Sequence, residues 1–277
     1  MALFIQNSST LIDPKNFKLK VLIYGLHGVG KTSWMSTAPN AGIGVSETGW
    51  GKGLLSVATK DLDFTELNSY ADFDTFCSGT IFKDKETLCL DSLSDMVRTF
   101  VKDKALSIPR SRGESAKRLA GVMELDDFGV VAELTRKLLK KFIDQPKHIV
   151  VTSGLRIDRP DPENLQGETL IGPDLAGQLF LGSTAMFDLV FCLRTRRILR
   201  DPKDAKSVFM QRYIVTESNG SGIIAKNRLS IQGGKSFLPS EVIFDPDNNL
   251  GTFDYFYNLA ISEYTRYVDE HTPKVVI

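Results

Sequence analysis

The residues with the clearest chemistry are Gly25-Leu26-His27-Gly28-Val29-Gly30-Lys31-Thr32, which fit the spacing G-x-x-x-x-G-K-[ST] and are followed by Ser33. The glycines let the backbone curl until consecutive N–H groups point at one spot, forming an anion nest. Lysine beside the last glycine adds a point charge for β- and γ-phosphates, and the threonine hydroxyl is a hard oxygen suited to Mg²⁺. Gly25, Gly28, Val29, Gly30, Lys31, Thr32 and Ser33 are therefore expected to cradle a nucleoside triphosphate. The guanine-reading sequence N-K-x-D does not occur, so ATP is expected rather than GTP. His27 occupies a variable position of the motif, and His148 and His271 stand at no metal-ligand spacing from it.

A phosphate-bound Mg²⁺ also needs a carboxylate for its water shell. Thr87-Leu88-Cys89-Leu90-Asp91 offers one, an apolar run that ends in Asp at the C-terminal end of a buried strand. Hydrolysis further requires a group that polarises a water in line with the γ-phosphate. Glu47 is the candidate base, because it ends the strand that follows the motif's helix, and α/β sheets gather their ligands at that edge. Asp95 is the competing carboxylate. A small-molecule kinase is disfavoured, since no arginine-rich closing lid of the usual length follows.

These residues need an α/β scaffold to meet. Short apolar runs alternate with amphipathic stretches, the pattern of a mostly parallel central sheet flanked by helices. Lys20 to Tyr24 reads as a buried strand, Lys31 to Ala38 as a helix stopped by Pro39, and Ile43 to Val45 as a second strand. Thr87 to Leu90 is a third, after which Ser92 caps a helix from Leu93 to Leu106. A strong amphipathic helix spans about Asp127 to Ile143, and His148 to Thr152 is a strand. Residues 155 to 182 are rich in Gly, Pro and charge and read as one long loop, of the kind that carries function. Strand patterns return at Phe187 to Leu193 and Phe209 to Thr216, the latter leading into the hairpin signal Asn219-Gly220. Tyr255 to Val268 has helical spacing.

The chain has 277 residues, enough for one large domain at the prior of ~150 residues per domain, and no linker or repeat divides it. A single domain over residues 1–277 is expected, with 1–17 an N-terminal extension that shows no clear polymerisation segment, 236–277 a C-terminal segment packing on the core, and a C-terminal hairpin and helix completing the fold. Lys plus Arg and Asp plus Glu balance at 34 each, which excludes a bulk basic field, so any nucleic-acid contact must come from local patches. No apolar run approaches the ~18 residues of a membrane span, and the start lacks a charged, long-apolar leader, so a cytoplasmic protein without membrane contact is expected. Cys77, Cys89 and Cys192 are odd in number and lack C-x-x-C spacing, which predicts buried free thiols.

A base at the end of the strand after the P-loop helix resembles the RecA-like branch of P-loop NTPases. LCLDSLSDM looks like that fold's Walker B strand and helix. IVVTSGLR, the long loop and DLAGQLFLGSTAMFDLVFCLRTRR resemble its sensor strand, DNA-binding loop and following helix and strand. The similarity covers about residues 18 to 235 and is nearest to the phage-encoded minimal RecA-like ATPases, the Sak-type group linked to single-strand annealing and recombination. One departure is plain: Thr152-Ser153-Gly154 stands where relatives carry Gln or His at the end of the sensor strand.

The resemblance implies an Mg²⁺-dependent, DNA-stimulated ATPase located in the host cytoplasm if phage-encoded. It implies a homo-oligomer, ring or filament, in which Lys226 and Arg228 of Ile224-Ala225-Lys226-Asn227-Arg228 reach a neighbour's γ-phosphate. It also implies single-stranded DNA on Arg110, Arg112, Lys117 and Arg118 after the Walker B helix and on Arg156 and Arg159 in the long loop, and a single-strand DNA-binding protein as a further partner. The cluster Arg194, Arg196, Arg197 and Arg200 reads as a hairpin tip without assignment. A P-loop ATPase with a regulatory or assembly role and no DNA is the competing expectation, and DNA-stimulated turnover separates the two.

Overall fold

The structure, a computed structural model, describes residues 16–47, 52–109, 121–159, 168–199, 207–218, 220–229 and 238–271. In chain order its elements are β1 (Lys20–Tyr24), α1 (Lys31–Met35), β2 (Ala41–Val45), β3 (Asp63–Glu66), α2 (Tyr70–Cys77), β4 (Thr87–Asp91), α3 (Leu93–Met96), α4 (Lys102–Ser107), α5 (Leu125–Ile143) and β5 (His148–Ser153). There follow β6 (Leu155–Asp158), β7 (Leu170–Pro173), α6 (Gln178–Gly182), β8 (Leu189–Leu199), β9 (Val208–Val215), β10 (Lys226–Asn227), β11 (Glu241–Ile243) and α7 (Phe253–His271).

The central sheet has the order β11-β9-β8-β1-β5-β4-β2-β3, with β10 also paired to β8. From β8 to β3 every pairing is parallel, while β9, β10 and β11 join antiparallel at the other side. It is a mixed α/β fold with a mostly parallel central sheet flanked by helices. The parallel strands read as unbroken apolar runs because helices cover both faces. Leu22, Tyr24, Leu90 and Val151 face one core with Phe73, Phe76 and Phe142. Val21, Ile23, Ile43 and Val150 face the other with Trp34, Phe253 and Phe256. In that second core the Trp34 ring is fully buried against Phe191, Phe253 and Phe256, and its Nε1 donates to the Gly251 carbonyl at 2.7 Å. The helix after the phosphate loop and the C-terminal helix are thus locked together, and truncating such a ring costs ~3–5 kcal/mol.

Several expectations change. The stretch from 155 to 182 is not one loop: Leu155–Asp158 and Leu170–Pro173 pair antiparallel as a separate two-stranded sheet, and α6 follows. Its polar, glycine-rich composition hid a ribbon whose backbone is satisfied by pairing rather than by burial. Asn219 lies outside the described residues, and the strands on either side of it do not pair with each other, since β9 and β10 both pair with β8. Arg194, Arg196 and Arg197 are not at a tip. They sit along the exposed body of β8, Arg196 over the Tyr213 ring at 4.7 Å and 3.2 Å from Glu241, while Arg200 lies outside the described residues. The helix expected from Leu93 to Leu106 is interrupted by a π-helical turn at Val97–Val101. Cys77, Cys89 and Cys192 are buried free thiols, each pushed up by burial, Cys77 to about 12 and Cys192 to about 11.

Candidate nucleotide site

Because β1, β2, β4 and β5 run parallel, their C-terminal ends share one edge, and the phosphate loop, Glu47 and Asp91 all leave from there. Gly25 follows β1, Glu47 follows β2, Asp91 ends β4, and Thr152 and Ser153 end β5. Since β5 lies between β1 and β4, the two are ~10 Å apart at ordinary strand spacing. The loop and α1 bridge that gap.

Two glycines of the loop have physical reasons to be glycine. A Cβ at Gly25 would lie 2.5 Å from the Leu193 carbonyl oxygen, so no side chain fits between the loop and β8. Gly30 adopts φ 103°, in the left-handed region, and caps the start of α1. At the first turn of α1, Thr32 Oγ1 donates to Asp91 Oδ2 at 2.8 Å. The other oxygen, Asp91 Oδ1, accepts from Thr152 Oγ1. Asp91 is buried, so both hydroxyls are needed to offset its desolvation. Thr152 therefore fixes the carboxylate that points at the loop, a role for the departure at the sensor-strand end that spacing alone did not disclose.

A hydroxyl and a carboxylate in direct contact at the end of a phosphate loop form a hard-oxygen donor set that fits Mg²⁺, which Thr32 would ligate and Asp91 would hold through its water. Among the described residues no cluster of three or more His, Cys, Asp or Glu side chains offers a different metal site.

Lys31 Nζ donates to the Gly25 and Leu26 carbonyls at 3.1 and 2.9 Å, curling back over its own loop. Burial lowers its pKa, and Asp91 and Glu47 oppose that shift. Glu47 is exposed at the rim, its carboxylate packed over Gly53, where a Cβ would stand 3.1 Å from Glu47 Oε2. Desolvation raises its pKa, with the negative charges of Asp91 and Asp95 adding to the rise and His27 and Lys31 opposing it. A carboxylate held above its usual range is a stronger proton acceptor once ionised. Asp95 is also raised by desolvation, but the neighbouring Ser46 hydroxyl and the charge of Arg98 restrain the rise. Ser46 and Ser92 bond reciprocally, Ser46 Oγ to the Ser92 carbonyl at 2.8 Å and Ser92 N to Ser46 Oγ at 2.9 Å, tying the end of β2 to the end of β4. Glu47 and Asp91 are thereby held at one place.

The remaining predicted residues lie elsewhere. Lys226 and Arg228 stand toward the opposite end of β8, away from their own loop. Lys226 Nζ donates to the carbonyls of Thr184, Ala185 and Phe187 at 3.2, 3.1 and 2.7 Å, and Arg228 Nη2 to Ala185 at 2.5 Å. Arg156 lies on β6 and bonds Asp158 at 3.2 Å, and Arg159 follows that strand, exposed. Arg110, Arg112, Lys117 and Arg118 lie outside the described residues. Beside Arg156 opens a groove of about 1020 Å³ between α5, α6 and the π turn, with Met123, Leu125 and Phe128 along it and Arg98 and Lys102 at its rim. Leu125 is 87% and Phe128 50% exposed there. Arg98, Lys102 and Phe128 were not picked out from sequence, because their helices carry ordinary amphipathic patterns and only the packing brings them to Arg156. No helix among the described residues is long and apolar enough to cross a membrane.

A family model described as an AAA domain matches residues 17–229. A solved KaiC-like protein from the hyperthermophilic archaeon Pyrococcus horikoshii is 12% identical, with 82% of this chain and 85% of that chain covered and a TM-score of 0.39. No curated protein matches.

Proposed function

From the premise that the chain belongs to the AAA-domain family, matched over residues 17–229, we propose that it is a RecA-like, Mg²⁺-dependent ATPase that binds single-stranded DNA and works in phage recombination, annealing or replication. The observation that carries the ATPase reading is the Thr32–Asp91–Thr152 bridge at the mouth of the phosphate loop, with Lys31 and Glu47 beside it. Lys31 lies against the β- and γ-phosphates in this reading. Glu47 takes a proton from a water lined up with the γ-phosphate. Mg²⁺, when bound, neutralises charge developing on the phosphate oxygens.

Support for DNA comes from the groove that holds Arg156. Its cations suit phosphate and the exposed Phe128 ring suits base stacking, the pairing on which single-strand binding rests. A chain of bonds also joins this region to the nucleotide edge. Ser94 Oγ and Ser153 Oγ are 2.8 Å apart, Asp174 N donates to Ser153 Oγ at 3.1 Å, and Asp174 pairs with Arg98 at the groove's rim. Lys226 and Arg228 are too far along β8 to serve their own loop, so a contribution from them requires a homo-oligomer in which a neighbour supplies them.

The test is single-strand binding in the presence of a non-hydrolysable ATP analogue. Each phosphate contact contributes ~0.7 to the slope of log affinity against log salt, so Arg156→Ala with Arg159→Ala should flatten the slope by ~1.4 and weaken all sequences alike. Absence of binding at low salt overturns the DNA part and leaves an ATPase with a regulatory or assembly role.

A further inference from the structure

We infer that Arg212 is a cation of the nucleotide site supplied by the same chain, gripping the α- and β-phosphates from the outer side of the phosphate loop. The inference rests on the ATP-binding reading above.

Arg212 lies on β9, an exposed position of an antiparallel strand with no motif around it. Its guanidinium nevertheless packs on the loop: a Cβ at Gly30 would lie 3.1 Å from Cζ and Nη1 and 3.2 Å from Nε of Arg212. A Cβ at 30 would press on the guanidinium, which would have to give by a few tenths of an ångström, so the glycine that opens the loop to phosphate also lets the arginine pack this closely. Among the described residues the arginine forms no ion pair, although Asp245 lines a groove with it. Its neighbour Arg196, across the same strand pair, bonds Gln211 at 2.9 Å and Glu241 at 3.2 Å. Among the described residues no acceptor or carboxylate takes up Arg212. A planar, always-charged donor fork left open beside an anion nest is suited to bidentate phosphate contact.

Sheet order decides which phosphates it meets. Asp91 and Glu47 leave β4 and β2, on the β5 side of β1, whereas β9 lies beyond β8 on the opposite side. A triphosphate with its γ end toward Asp91 and Glu47 must lead its α end and nucleoside toward β9. On that side a groove of about 620 Å³ runs from Leu26 and His27 past Arg212 to Phe209, Phe244, Asp245 and Pro246, its apolar rings and polar side chains together suiting a base and ribose. Arg212 stands where the loop gives way to this groove.

A cation at the α and β positions touches ATP and ADP equally and contributes little to the change at the γ-phosphate. That predicts a split between binding and turnover. In Arg212→Ala, Kd for ADP by titration calorimetry and KM for ATP should both rise about tenfold, the scale of losing one charged hydrogen-bonded contact. Turnover at saturating ATP should fall by less than about threefold. Arg212→Gln, which keeps length and polarity, should lose as much affinity as Arg212→Ala, and Arg212→Lys should recover part of it, which a packing defect alone does not predict. Unchanged ADP affinity in Arg212→Ala and Arg212→Gln, or a fall in turnover with ADP affinity intact, overturns the assignment while the ATP reading stands. A wild-type protein that binds neither ADP nor ATP overturns both.

Discussion

The two ends of the parallel strands carry similar side chains in different condition. At the N-terminal end the charges are saturated by the fold. Lys20 Nζ donates to the Gln145 and Lys147 carbonyls at 2.6 Å each, Lys147 to those of Phe82, Lys83 and Lys85, and Lys226 to its three. Asp188 accepts from Lys20 N at 3.0 Å, and His148 Nδ1 accepts from Leu19 N at 3.1 Å between the rings of Phe253 and Tyr257. Burial pushes that imidazole down to about 4, so it stays neutral. At the C-terminal end Lys31 turns back on its own loop, Arg212 forms no ion pair among the described residues and Glu47 is raised at an exposed rim. The same residue types serve as struts where backbone carbonyls consume their valence. They serve as a site where the valence is left for a ligand.

Substitutions at the two ends should therefore fail in different ways. The largest effect is expected for Lys31→Ala, which should reduce ATP hydrolysis to background and remove most triphosphate affinity while thermal unfolding stays cooperative; normal turnover would break the comparison outright. Glu47→Gln keeps the shape and removes the base, so ATP should still bind while hydrolysis falls ~10²-fold or more. Because the Glu47 pKa is raised, the base is lost by protonation at a higher pH than for an ordinary carboxylate. The acid limb of the rate profile should thus rise above the usual carboxylate range in wild type and vanish in Glu47→Gln. If Asp95→Asn stops hydrolysis and Glu47→Gln does not, Asp95 is the base. The smallest effect sharpens the contrast at the saturated end. Lys226→Ala should cost ~1 kcal/mol of stability through the carbonyls it leaves, and mixing it with Lys31→Ala subunits should restore part of the activity, each supplying what the other lacks. No complementation, with a monomeric profile in ATP, makes Lys226 and Arg228 struts only.

The site was more legible in the sequence than the fold around it. A strand followed by G-x-x-x-x-G-K-T announces itself because phosphate binding is done by backbone, and few sequences give that backbone its shape. TLCLD was readable because a strand buried on both faces must be apolar until it reaches the edge. What stayed hidden depended on packing between distant segments. Thr152 meets Asp91 only through the pairing of β5 with β4, and Arg212 reaches Gly30 only because β9 folds beside β8. Edge strand β3, four polar-leaning residues, gives no periodic signal. Helix α2 did carry one, since Ser69 accepts from Asp72 N at 3.2 Å in a cap spelled out by Ser-x-x-Asp.

ATP hydrolysis by the wild-type chain with Mg²⁺, measured with and without single-stranded DNA, separates a DNA-coupled ATPase from a protein that does not turn over. Turnover is expected without DNA, rising when DNA is added, since the bonds from Ser94 through Ser153 and Asp174 join the groove to the open edge. Absence of hydrolysis in both conditions would contradict the ATPase reading.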